Sequence, residues 1–446
     1  MRIISMALCA GILLASGCRS VGDEPISGRS AVEAVYSVDE LKRDFVQFRS
    51  IMDNKTARLY TDRDRLRKAL NEAEAGLTRP MGELEFYRLL APLVAELRCG
   101  HSFLSVSRGT ERFMRDEALL FPLSVRILED KLFVIRDGYG TGVAPGSELV
   151  SVNGRTATDI IRTLVSTVPT DGADRGRPRY DSERWFASMY YAYIDPAESF
   201  EVAYVAPGGT GLSEAKLPGA RDPALAKTAK GVIFDTLGAP YSMTVHEQYA
   251  ILRIPVFSYG DSRAYDKFLK DSFVEIAGRN LGTLILDVRG NYGGSPDITA
   301  ELFKYLIREP TAFFSNDNPF YLARWKRPIA PAPEAFGGRL YVLMDEAGFS
   351  MSGFLLSLLK YHGIGTLVGA PSSGGYQCSD ASMETTLRET GLRLRYSTQV
   401  FGTAVSGQEA GIGVQPDLRV DWTLQDYLGD GDPALAAALR SAGIRR

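Results

Sequence analysis

The sequence points to an α/β core preceded by a helical module and a small β-rich domain. Three observations carry this. Beyond about residue 240, the short apolar runs "YAILRIPVF", "GTLILDV", "RLYVLMD" and "TLVGA" alternate with segments of helical period. That alternation predicts a largely parallel sheet covered on both faces. Ahead of it, residues 118–220 alternate apolar and polar positions around Pro-Gly and Asn-Gly turns, the pattern of short strands. Earlier still, Ser37 and Glu40 fit a capping box, and Leu41, Phe45, Phe48 and Met52 follow at helical spacing.

The elements follow in order. The first twenty residues, "MRIISMALCAGILLASGCRS", place Arg2 before an apolar run from Ile3 to Leu14. Such a run is too short to cross a bilayer and predicts an export leader over residues 1–17. Leu14-Ala15-Ser16-Gly17-Cys18 resembles the lipobox of bacterial lipoproteins, which would leave Cys18 as a lipid-carrying N-terminus. A plain signal peptide with a chance cysteine is the alternative. No later stretch reaches ~18 uninterrupted apolar residues, so lipid is the only membrane attachment expected. The body is then expected outside the cytoplasm, facing the periplasm or the cell surface. Residues 18–36 are polar and read as a tether, and residues 37–110 as the helical module. A second helix after Pro80 carries Phe86, Leu90, Leu93 and Leu97 and runs directly into "LRCGHSFLSV" at 97–106.

Within residues 118–220, "GVAPGSELVSVNGRTATDII" resembles a segment of PDZ domains, with Ser147 where aspartate is usual. The stretch "RGRPRYDSERWFASMYYAYI" exceeds what a minimal module needs and reads as an insertion without a legible role. The α/β core spans 235–425, and residues 426–446 read as a C-terminal helix or tail. Inside the core, the aromatic and proline-rich run from Phe313 to Gly338 has no period. It is either a loop beside a cleft or a surface excursion.

Composition bounds the function. With 446 residues, 45% hydrophobic and 24% charged, the chain is globular, and a net charge of −3 without a basic run offers no footprint for phosphate backbones. No nucleic-acid partner is expected. Neither H-E-x-x-H nor C-x-x-C occurs, so neither a metal nor another cofactor is expected. Once Cys9 leaves with the leader and Cys18 is acylated, Cys99 and Cys378 remain. An even pair in an oxidising compartment fits a disulfide, and two separate buried thiols fit as well.

Three places could carry chemistry. His101 is one of three histidines and is either a core ring or a base. In "LILDVRGNYGGS" a strand runs out at Asp287 into small residues, where backbone N–H groups can approach an oxyanion, although such a run is often only a turn. In "DEAGFSMSGFLLSLLK" a strand ends at Asp345 and Ser350 opens an apolar helix, either as an N-cap or as a nucleophile beside helix N–H groups. The last position of G-x-S-x-G is missed, so an α/β-hydrolase elbow is not indicated.

Taken together, "C-G-H-S", the PDZ-like segment, "L-I-L-D-V-R-G-N-x-G-G", "F-S-M-S-G", "G-A-P-S-S-G-G" and "G-V-Q-P-D" resemble the C-terminal processing peptidase and tricorn-core family of serine peptidases. The resemblance implies a ClpP/crotonase-like core. It places Ser350 on the nucleophile and the N–H groups of Met351 and of Gly293 or Gly294 on the oxyanion hole. One branch of the family activates its serine with a lysine in a Gly-rich turn, which here reads Gly374-Gly375-Tyr376 without a lysine. The tricorn-like branch uses a histidine, and His101 falls on it. Chemistry asks for such a base, since a serine hydroxyl needs a proton acceptor within reach and an imidazole titrating near ~6.5 can serve at neutral pH. Glu409 is expected to orient the ring, with Glu384 as the alternative. The resemblance also folds the turn before Cys378 against the site, so Cys99 and Cys378 are expected to face each other as a disulfide. The implied activity is an endopeptidase acting on extended peptides or unfolded and C-terminal segments. The rivals are a non-catalytic ligand- or peptide-binding lipoprotein and an ester or amide hydrolase.

Overall fold

In a computed structural model, which describes residues 32–227, 241–319 and 322–444, helix α1 (Val38–Asn54) starts on the expected reciprocal cap. The Glu40 carboxylate accepts the Ser37 N–H at 2.7 Å. The leader, Cys18 and most of the tether lie outside the described residues. Leu41, Phe45, Phe48 and Met52 form the buried face of α1, which shares a core with α2 (Arg63–Ala75) and α3 (Glu83–Ala95). The chain then turns at Cys99–Ser102 into the short strand β1 (Phe103–Ser105).

Strands β2 (Leu123–Leu128), β3 (Lys131–Asp137) and β4 (Glu148–Val152) lead to helix α4 (Ala157–Thr167). The stretch that reads as an insertion forms helix α5 (Gly176–Arg184) and continues through Phe186–Met189 into a π-helical turn at Tyr190–Ile194. Strands β5 (Ser199–Val205) and β6 (Leu212–Pro218) complete an antiparallel sheet in the order β2-β3-β4-β5-β6. The aromatic content of the insertion now has a reason. Phe186 and Tyr190 pack on Phe121 and Phe200 with ring centroids 5.1–5.9 Å apart, closing the core of this sheet.

The C-terminal part has the expected α/β class. Strands β7 (Ser242–Val245) and β8 (Ala250–Arg253), helix α6 (Ser262–Gly278), β9 (Thr283–Asp287), α7 (Pro296–Lys304), β10 (Arg339–Met344), α8 (Met351–His362) and β11 (Thr366–Gly369) follow in turn. Four short strands come next: β12 (Gln377–Asp380), β13 (Met383–Thr386), β14 (Arg393–Tyr396) and β15 (Gln399–Gly402). The chain closes with β16 (Leu418–Arg419) and α9 (Pro433–Ser441). The main sheet has the order β7-β8-β9-β10-β11-β16 and is parallel except for β7. Side chains alternate across it. Leu284, Leu286, Leu340 and Val342 face the layer containing Phe273, Phe303 and Leu355, while Ile285, Tyr341 and Leu343 face Leu435 and Leu439 of α9. With both faces covered, each fully buried leucine or isoleucine contributes roughly 1.5–3 kcal/mol. The Phe313–Gly338 run is pinned to the core, with Phe314 bridged to Thr403 and stacked edge-on against Phe354 at 5.9 Å.

A small sheet joins the N-terminal module to the C-terminal part of the chain. Strands β13, β14 and β1 pair antiparallel, with Leu104 opposite Leu394. Leu387, Leu392 and Leu394 belong to the same core as α1 and α3. Asp44 of α1, fully buried, accepts hydrogen bonds from the N–H groups of Glu389 and Thr390 at 2.9 Å and from Thr390 Oγ1 at 2.7 Å.

Candidate active site

Two parallel strands deliver the reacting backbone at their C-terminal ends, where crevices form in α/β sheets. After β9, Arg289 forks onto Asp287 and Asp432 at 2.8–2.9 Å, and the Gly290 N–H donates to Asp345 at 3.0 Å. Asn291 Nδ2 donates to the Ile254 carbonyl at 2.9 Å, while its Oδ1 accepts the Gly293 N–H at 2.8 Å. Gly293 has φ +104°, and a Cβ there would stand 2.7 Å from the Phe349 carbonyl oxygen and 2.8 Å from Ser350 Cβ. Only glycine lets the two loops meet so closely.

After β10, Asp345 accepts the Ala347 N–H at 3.2 Å, and burial pushes its carboxyl up to about 6. Ser350 follows with φ 54° and ψ −126°, an arrangement that costs of order 1–3 kcal/mol and persists only when its surroundings hold it. Ser350 occupies the N-cap of α8, yet its side chain makes no capping hydrogen bond. Its Oγ instead lies 3.0 Å from His101 Nε2. The capping alternative is therefore excluded by geometry.

His101 reaches the serine because β1 pairs with β14, which brings the "C-G-H-S" turn from the N-terminal module onto the core. The ring is 11% exposed and lies on Phe349 with centroids 4.4 Å apart. Its pKa is lowered from 6.5: burial disfavours the charged ring most, Asp380 opposes this, and Arg177 and Arg395 reinforce it. The Ser379 carbonyl also favours the charged ring, although Nδ1 has no partner that meets hydrogen-bond geometry.

The carboxylate beside the ring is Asp380, with Oδ2 3.6 Å from Nε2. Burial pushes its carboxyl up, but the His101 ring, Ser382 and Arg395 outweigh that and hold it below the usual range. Ser382 Oγ donates to Asp380 Oδ1 at 2.8 Å. Glu409 is not brought to the site. It is exposed in the loop after β15, whose Gly411 is held by Ala173 N–H at 2.8 Å. Glu384 is exposed on β13, paired in register with Arg395. Strand alternation offered a signal for Asp380: Cys378 and Asp380 are two apart on β12 and face the same side, the side on which Cys99 lies.

Two further expectations are corrected. Cys99 and Cys378 are free buried thiols, and Cys99 Sγ meets Ser397 Oγ at 3.1 Å and the Ser379 carbonyl at 3.7 Å. Burial pushes the Cys99 thiol up to about 11. Of the N–H groups expected to line an oxyanion hole, that of Gly293 is engaged by Asn291. The N–H of Met351, first in α8, has no partner within the helix. In the parallel bridge to Phe257, the Gly293 carbonyl accepts the Phe257 N–H at 2.9 Å and the Ser295 N–H donates to the Phe257 carbonyl at 2.6 Å, which turns the Gly294 N–H to the opposite edge.

The lysine branch is closed sterically, since a Cβ at Gly375 would stand 2.7 Å from the Ile412 carbonyl oxygen. Lys360 pairs with Asp417. Of the other histidines, His246 stacks on Tyr249 at 4.3 Å, and His362 ends α8 ahead of the left-handed Gly363. Among the described residues no group of His, Cys, Asp and Glu could hold a metal ion.

Residues 248–420 match the model of peptidase family S41. The match spans the α/β core and leaves the N-terminal module and the β-rich domain outside it. Ser350, Met351, Gly293, Gly294 and Asp380 lie inside the matched S41 region, whereas His101 lies outside it. Among solved structures, mature CPAF is 15% identical with a TM-score of 0.63, covering 88% of this chain and 94% of that one. Mature CPAF complexed with lactacystin is 16% identical with a TM-score of 0.63, covering 88% and 95%. At such identity the likeness to these structures is one of fold. No curated protein matches the chain.

Proposed function

We propose that the chain is a serine endopeptidase that cleaves extended peptides or unfolded protein segments through an acyl-serine intermediate. The observation that carries this is the 3.0 Å approach of His101 Nε2 to the uncapped Ser350 Oγ. In the first half-reaction Ser350 Oγ attacks the scissile carbonyl carbon while His101 Nε2 takes its proton. The carbonyl oxygen becomes an oxyanion facing the Met351 and Gly294 N–H groups. Collapse of this intermediate breaks the C–N bond, and the imidazolium returns its proton to the leaving amine. Water then repeats the sequence on the acyl-enzyme, with His101 as base, and frees the acid product. Asp380 stands on the serine side of the ring rather than at Nδ1, so its role is to stabilise the imidazolium electrostatically.

A fluorophosphonate probe and a denatured protein substrate test the reading. The unsubstituted protein labels on Ser350 and degrades the substrate, Ser350→Ala does neither, and His101→Ala slows both by about 10²–10⁴-fold. Absence of labelling in the unsubstituted protein ends the enzyme reading in favour of a binding protein. Labelling without proteolysis favours the ester or amide hydrolase.

The chain is further proposed to act from a membrane surface outside the cytoplasm, held by lipid on Cys18. The support is the apolar leader followed by the lipobox-like Leu14–Cys18. Among the described residues no helix is long and apolar enough to cross a membrane.

A further inference from the structure

The strained Ser350 turn needs an outside support, and the support comes from the segment between α4 and the end of α5. Phe349 is touched by the His101 ring and by the Arg177 guanidinium, whose Cζ lies 4.3 Å from the ring centroid. The packing leaves no slack, because a Cβ at Gly100 would stand 2.6 Å from both Arg177 Nη1 and Phe349 Cζ. Arg177 Nε donates to Asp181 Oδ2 at 3.2 Å, and the Tyr292 hydroxyl donates to Asp181 Oδ1 at 2.6 Å. One buried carboxylate thus ties the guanidinium to the residue before Gly293. The same segment holds the histidine turn, with Asp171 Oδ1 accepting the Gly100 N–H at 2.8 Å and the Gly172 N–H donating to the Arg98 carbonyl at 3.1 Å.

Side chains of Arg177 and Asp181 are 6% and 3% exposed, and Arg177 Nη1 is buried without a hydrogen-bond partner. For stability alone an apolar pair of similar volume would serve as well or better. A flat cation that stacks on Phe349 while gripping Asp181 does something an apolar pair cannot. Resting on the peptidase reading, we propose that Arg177, braced by Asp181, is the positioning residue that holds the Ser350 turn and the Gly293–Gly294 loop in register with His101. It lies outside the S41-matched residues, on a helix that belongs to the β-rich domain's side of the chain.

The full chain is tested with heat-denatured, fluorescein-labelled casein and with a fluorophosphonate probe, comparing Arg177→Ala, Arg177→Lys and Asp181→Asn. Arg177→Ala is expected to lower kcat and the labelling rate about 10- to 100-fold with KM changed less than about twofold, because misplacement rather than lost binding is the defect. The charged groups acting on His101 are Asp380, Arg177 and Arg395. Removing the Arg177 cation therefore moves the acidic limb of kcat/KM to higher pH. Arg177→Lys keeps the charge but loses the planar stack, so kcat falls while the limb stays in place. Asp181→Asn lowers kcat less than Arg177→Ala.

Labelling of Ser350 in the unsubstituted protein separates the two levels. Its absence ends the peptidase reading and this inference with it. Its presence, with kcat and the acidic limb unchanged in Arg177→Ala, overturns the positioning role alone. Should circular dichroism find Arg177→Ala unfolded, Arg177→Lys decides, and an unchanged kcat there overturns the proposal.

Discussion

The imidazole of His101 sits among charges of both signs, and their balance fixes when it can accept a proton. Burial leads in lowering its pKa, and Asp380 is the one nearby charge that pulls the other way. A lowered pKa leaves the ring neutral at pH 7 and ready to act as base. Activity is therefore held as pH falls through ~6.5 and is lost only below it. Asp380→Asn removes the influence that raises the pKa, so the midpoint of the acidic limb moves further down. It also weakens stabilisation of the imidazolium, lowering kcat on the order of 10- to 100-fold. A pH–rate profile checks both, and an upward move of the limb would contradict the role given to Asp380.

At the scale of elements, the site depends on contacts between segments far apart in sequence. Asp44 of α1 holds the turn of the β13–β14 hairpin through three donors. Asp44→Ala strands them in a buried place and is expected to cost about 2–4 kcal/mol. Urea unfolding measures that loss, and kcat falls with it if the hairpin moves β1. Elements with strong periodicity were legible. The capping box at Ser37 and the apolar strands of the core appear where the pattern puts them. So was the approach of the "C-G-H-S" turn to the serine, through resemblance and the missing lysine. The backbone strain at Ser350 was not, because a positive φ at a serine leaves no local signal in the sequence. The C-terminal motif points to Glu409 as the ring's carboxylate, whereas the alternation along β12 presents Asp380 to His101. The α5 stretch defied reading for a related reason: an Arg-rich, aromatic run has no period, and its meaning lies in what it touches.

Over the whole molecule, the N-terminal segment governs attachment and the order of the strands governs assembly of the site. The lipid anchor proposed at Cys18 predicts that the protein partitions with membranes and that Cys18→Ala moves it to the soluble fraction. Cell fractionation with immunoblotting checks this, and no change on substitution counts against the anchor. The shared core of α1, α3 and the β13–β14 hairpin has a consequence in time as well as space. During synthesis His101 leaves the ribosome long before Ser350, and β14, which carries β1 into place, leaves later still. A growing chain therefore passes most of its synthesis with its base and its hydroxyl apart. The pair of His101 and Ser350 forms only after β14 has been made and has docked against β1.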